Sequence, residues 1–203
     1  MSRVPTTSSE HPESWRFGYP IYHAESRAQW RAWLEVNHDA ERGVWLCSWR
    51  TATGKPRCPY PEVVEEALCF GWIDSTNVVL DPERSIQLIT PRRSKSPWSR
   101  LNRSRVETME AAGLMTDAGW RAVEVAKANG WWTISDSVED LIEPDDLARA
   151  LDANKAARAA WDGFTPSVRK QMLWWLVAAA TATTRAKRIA AIVDKAAIGE
   201  PAR

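Results

Sequence analysis

The segment Thr90-Pro91-Arg92-Arg93-Ser94-Lys95-Ser96-Pro97-Trp98-Ser99 sets three cations and three serines ahead of a helical pattern. Guanidinium groups hold carboxylates and phosphates through paired N–H donors, and hydroxyls add further donors. The free amides of a helix start favour negative charge. These are the residue types an anion site needs. A solvated basic loop, or one paired with the Glu-rich 62–66 stretch, would use the same residues for structure alone. Leu68-Cys69-Phe70-Gly71-Trp72-Ile73-Asp74-Ser75 is the second constellation. Glycine at a helix-to-strand junction permits a left-handed or closely packed backbone, which would bring Cys69, Trp72, Asp74 and Ser75 near one another. Here too a plain structural alternative exists: a helix cap with a buried tryptophan and an aspartate bonded to nearby backbone.

At helical pitch Trp98, Leu101, Asn102, Arg105, Met109 and Ala112 share one face after Pro97. Asn102 and Arg105 interrupt its apolar character. Buried polar groups need partners, and Asp74 is the natural one for Arg105 or Arg92. Together these segments predict one pocket. Arg92, Arg93 and Lys95 would hold an anion, Trp72 and Trp98 would wall it, and Asp74 and Asn102 would orient it. Asp74 is also the candidate general acid or base. Cys69 falls with Glu62, Glu65 and Glu66 on an ideal helix, away from the stripe Val64, Ala67, Leu68 and Gly71. Neighbouring carboxylates raise a thiol's pKa, so an activated nucleophile is not expected there.

The elements that must position these residues are α+β. Tyr19–His23, Val44–Trp49, Asn77–Leu80 and Ser85–Thr90 read as short strands, the last two a hairpin turning on Asp81–Arg84. They predict a small antiparallel sheet of three to four strands packed on helices. Ser26 caps one helix, and another begins near Pro61. From Pro97 the chain turns helical: 97–112, 116–129, 144–151, 153–161, 165–181 and 185–197, with Thr116 and Thr165 as caps. The expected organisation is a disordered tail at 1–16, a core domain at 17–130 carrying the motifs, a linker at 131–143 and a helical region at 144–197.

The chain has 203 residues and a net charge of +1, so no global field draws it to nucleic acid or anionic lipid. Its three cysteines, Cys47, Cys58 and Cys69, contain no CxxC pair, and the three histidines have no metal-ligand spacing. No nucleotide-binding glycine motif is present, and no cofactor is expected. Thirteen tryptophans point to an aromatic core or an aromatic-lined cavity. The N-terminus carries no secretory signal, and the longest apolar run is far below the ~20 residues of a membrane span. A cytoplasmic location with free thiols is expected, with no membrane partner.

LCFGWIDS (68–75), TPRRSKSPWSRLN (90–102) and RAWLEVNHDAERGVWL (31–46) resemble the YdeI/OmpD-associated family, also labelled bacteriocin-protection proteins. Gly113-Leu114-Met115-Thr116 and the stretch 147–176 fit its later helical part, so the resemblance spans roughly 20–197. It implies resistance to bacteriocins or cationic peptides, and it brings no reaction, cofactor or catalytic residue. It does group Cys69, Trp72, Asp74, Arg92, Arg93, Trp98 and Asn102 as motif positions. Three functions follow as expectations. The first is a stress-protection protein binding a small anionic ligand. The second is an enzyme using Asp74 in the same pocket. The third is an interaction module using the 92–105 basic segment, although nucleic acid is not the expected partner.

Overall fold

Alternation along Val44–Trp49 sorts its side chains into two sets, and strand register carries that sorting across the sheet. The computed structural model describes residues 18–202, so the tail expected at 1–16 lies outside the described residues. The chain divides between Trp131 and Trp132 into two compact units.

The first unit runs β1 (Ile21–His23), α1 (Arg27–Asn37), β2 (Val44–Trp49), α2 (Tyr60–Cys69), β3 (Trp72–Val79), β4 (Arg84–Pro91), α3 (Arg100–Ala111) and α4 (Asp117–Ala128). The sheet order is β1-β2-β4-β3. It is mixed rather than antiparallel throughout, because β1 pairs parallel with β2. The reason is that α1 forms a crossover between them, and a crossover returns the chain to the same end of the sheet. The hairpin β3–β4 turns on Asp81, whose carboxylate accepts the Glu83 and Arg84 amides at 2.9 and 2.7 Å. β3 begins at Trp72 rather than at Asn77, because the corner residues Trp72, Ile73 and Asp74 pair with Pro91, Thr90 and Ile89.

Val44, Leu46, Ile89 and Trp72 face the cluster that includes Trp30 and Leu34 of α1 and Val63 and Ala67 of α2. Trp45, Cys47 and Ile86 face the other way with Ile21. Ser26 caps α1 and Thr116 caps α4, as their sequence positions predict. α3 starts later than expected, at Arg100 after the Ser99 cap. Its buried residues are Val106 and Met109, while Leu101 is 61% exposed. The predicted face is therefore packed at Met109 but open at Leu101. Periodicity locates a stripe, but the neighbouring helix decides which edge of it is covered.

The second unit is helical: α5 (Asp136–Glu139), α6 (Asp145–Asp152), α7 (Lys155–Gly163), α8 (Pro166–Val177) and α9 (Ala182–Ala197). Leu147, Leu151, Trp161, Met172 and Ile192 form its core. Within the stretch read as a linker, α5 contributes Val138 to that core. Thr165 caps α8 with Pro166 in the first turn, and Thr181 caps α9. Among the described residues no helix is long and apolar enough to cross a membrane.

Candidate functional site

The corner between α2 and β3 is held by close backbone packing. Gly71 has φ +73°, and a Cβ there would lie 2.9 Å from the Ala118 carbonyl oxygen and 3.0 Å from the Ala122 Cβ. Gly119 packs still closer, since an added Cβ would lie 2.2 Å from the Cys69 carbonyl oxygen. Only glycine allows α4 to approach α2 this far. The Thr116 hydroxyl donates to that same Cys69 carbonyl at 2.6 Å and accepts the Gly119 amide. One side chain thus ends α2 and starts α4.

The basic loop joins the corner through its backbone. The Arg92 amide donates to the Gly71 carbonyl at 2.9 Å. The loop is fixed at its far side, where Asn129 donates to the Ser94 carbonyl at 2.6 Å, and the Arg93 amide donates to the Ser96 hydroxyl. The Arg92 guanidinium lies over the Trp98 ring and donates from Nη1 to the Pro97 carbonyl at 3.0 Å. Its Nε and Nη2 are buried with no hydrogen-bond partner among the described residues. Burial pushes the pKa of this guanidinium down to about 9, with the charge of Asp74 acting the other way. It remains charged at neutral pH, under-paired and largely out of water.

A cleft of about 360 Å³ opens between corner and loop. Phe70, Gly71 and Trp72 line one side, and Arg92, Arg93 and Ser94 line another. His38 closes the end of α1, and Arg121 looks in from α4. The His38 Nδ1 contacts the Leu34 carbonyl at 2.8 Å, which fixes the ring. Trp72 lines the cleft but is only 1% exposed, and Trp98, equally buried under Arg92, is not among the lining residues.

The other predicted residues lie elsewhere. Lys95 is exposed in the turn after Ser94 and is not among the cleft's lining residues. Asp74 is not paired with an arginine. Its Oδ2 accepts the Tyr60 hydroxyl at 2.7 Å and the Gln87 amide at 3.2 Å. Arg105 instead donates to Asn102 Oδ1 at 3.0 Å, within electrostatic reach of Tyr60. The cause is strand geometry: Asp74 sits opposite Ile89 on the helix-covered face, where the start of α2 supplies Tyr60. Burial, with Asp74 next, pushes the Tyr60 hydroxyl up to about 12.

Cys69 is fully buried rather than on an open acidic face. Burial pushes its thiol up to about 11, with Glu66 acting in the same direction. Glu66 is itself only 1% exposed, against the helix-wheel expectation. It accepts Arg27 Nε at 2.5 Å and Arg31 Nη1 at 2.7 Å, which makes its burial tolerable. Glu65 and Glu66 therefore pair with α1, not with the basic loop.

Sequence reasoning passed over His38, Arg121, Tyr60 and Gln87. Ala118 and Ala122, four apart, mark the small-residue face of α4 that approaches the corner, with Arg121 beside it. That signal was available. Tyr60 carries no comparable one, because its meaning depends on a register two strands away.

Two family models match the chain. Residues 22–122 match a domain of unknown function (DUF8412). Residues 140–199 match the family described as Bacteriocin-protection, YdeI or OmpD-Associated. Over those residues the C-terminal helices are similar to the YdeI/OmpD-associated family. The two motif segments at 68–75 and 90–102 lie inside the first match, and the 147–176 stretch lies inside the second. No curated protein and no solved structure matches the chain. In the C-terminal region of the second match the charges are organised structurally. Arg185 clasps Asp146 through two bonds of 2.6 and 2.8 Å, and Arg158 meets Glu143 and Asp152. Trp161 is buried with its indole N–H on Glu143 at 2.8 Å.

Proposed function

We propose that the cleft of the first unit binds a small anionic ligand, and that this binding serves a stress-protection role or the bacteriocin protection named in the family description of the second match. The observation behind the reading is the Arg92 guanidinium: buried, charged, and with two nitrogens lacking partners at the edge of an open cleft. A phosphate or carboxylate would supply those partners and restore charge balance. Arg93 and Arg121 add positive charge at the rim, and Ser94 adds a hydroxyl. Lys95 acts at longer range. Trp72 lines the cleft rather than clasping the ligand, and Trp98 backs Arg92.

A thermal-shift screen of phosphates, carboxylates and nucleotides tests this, repeated on Arg92→Ala. A ligand at a hundred times its Kd stabilises by ~2.7 kcal/mol. For a protein of this size that is a rise of roughly 5–10 °C in Tm. The rise should vanish in Arg92→Ala. A rise that persists there removes the proposal.

An enzyme using Asp74 in this cleft has less support, because Asp74 bonds Tyr60 and Gln87 away from the lining residues. An interaction surface of exposed cations and tryptophans is also less supported. Arg92 turns inward, Arg105 bonds Asn102, and Trp98 is buried.

A further inference from the structure

The helix-covered face of the sheet changes character along its length. At one end it carries Val44, Ile89 and Trp72, all within the core. At the other end the same face carries Ser48, Ser85, Gln87 and Asn77, with Asp74 in the row of Ile89 next to them. The register fixes this, since Ser48 lies opposite Ser85 and Asn77 opposite Gln87. Asp74 and Asn77 are an odd number of residues apart and would face opposite ways in a regular strand. The register shift between them returns both to one face. A sheet face beneath a helix is ordinarily apolar, so a polar end needs partners.

Those partners are not supplied by packing. A hollow of about 100 Å³ lies there, lined by Ser48, Arg57, Cys58, Tyr60, Asn77 and Ser85 among others. Part of the polar lining is satisfied. Gln87 donates to Asp74 and to the Ser75 carbonyl and accepts from Asn77 at 2.9 Å. Asp74 is occupied by Tyr60 and Gln87. Among the described residues, the side chains of Ser48, Ser85 and Arg57 make no hydrogen bond to the protein. What remains open is one guanidinium and two hydroxyls, a set rich in donors.

We infer that this hollow, separate from the cleft, is a site for a short-chain monocarboxylate. Arg57 would take the carboxylate through paired N–H donors, with Ser48 and Ser85 completing its shell. Asp74 is a positioning residue that holds Tyr60 and Gln87 as the wall. The space has room for several water molecules, enough for a guest of a few heavy atoms. The apolar side is short, made by Leu46 and Val63.

The test is amide NMR of the isotope-labelled full chain, titrated with acetate, propanoate and hexanoate against a chloride control of equal ionic strength. Acetate and propanoate should produce saturable shifts at Ser48, Asn77 and Ser85, and hexanoate should not. Arg57→Met should weaken the acetate affinity roughly tenfold or more, while Arg92→Ala should leave it unchanged. Should Arg57→Met fold poorly, Ser48→Val fills the hollow and should abolish the same shifts. Non-saturating drift, shifts confined to Arg92–Ser94, or saturation indifferent to both variants would overturn the inference. Loss of the cleft's ligand response alone would not touch it.

Discussion

The Arg92 guanidinium carbon lies 3.6 Å from the Trp98 ring centroid, so a cation and an indole are stacked inside the first unit. A desolvated cation–π contact contributes ~2 kcal/mol. Burying polar N–H groups without partners costs ~1–3 kcal/mol. These contributions oppose each other, which separates Arg92's effect on stability from its effect on ligands. Arg92→Met should change unfolding free energy by less than about 1.5 kcal/mol, measured by urea denaturation. The response to anions should disappear in the same variant.

Gly71→Ala and Gly119→Ala should both destabilise, the second more. At Gly71 the left-handed backbone costs about 1–2 kcal/mol for any residue with a Cβ, and the contact with α4 adds to it. At Gly119 the added carbon would lie inside the Cys69 carbonyl, so α4 must move. Overpacking of this kind costs ~3 kcal/mol or more. Denaturation midpoints should rank wild type, Gly71→Ala, Gly119→Ala. The reverse order would mean that the helices separate freely.

Glu66→Ala should cost about 1–3 kcal/mol, because it removes the shared partner of Arg27 and Arg31, which keep Glu65 and Glu35. Glu66→Gln retains the hydrogen-bond geometry and should cost less. A double-mutant cycle with Arg31→Met should show coupling above ~0.5 kcal/mol, the level expected for residues in one network.

Alkaline pH should weaken the fold. Burial pushes Cys47 and Cys69 up to about 11 and Cys58 up to about 12, each from 9. Tyr60 moves in the same direction, from 10 to about 12. Such an acid keeps its proton in the folded chain at a pH where the unfolded chain has already lost it. The stability is therefore whole below pH 9 and falls as pH rises from there towards 11 and 12. A tenfold difference in acidity between folded and unfolded chain corresponds to ~1.4 kcal/mol per group. Urea midpoints should accordingly be lower at pH 10.5 than at pH 8. At pH 8 all three thiols should resist alkylation until denaturant is added.

Much of the frame was legible in sequence because it is written locally. Ser26, Thr116 and Thr165 are caps recognisable from their own neighbours, and Val44–Trp49 sorts its faces by alternation alone. The two motif segments do meet at the corner, as Gly71 and Arg92 demonstrate by their backbone bond. Pairings set by register were not legible. Asp74 found Tyr60 rather than an arginine because its place opposite Ile89 decides what it faces. Glu66 looked exposed on a helical wheel because the wheel does not know that α1 brings two guanidiniums to it. Charge pairs invert the rule that carboxylates mark the outer face.

The Thr116 hydroxyl has a kinetic meaning as well. It joins positions 47 residues apart, so the Cys69 carbonyl at the end of α2 cannot receive it until the intervening hairpin and α3 have come home. Closing a loop of that length must be completed before the contact rewards it. Docking of α4 therefore belongs late in the folding order, and any event that frays its first turn also releases the last carbonyl of α2.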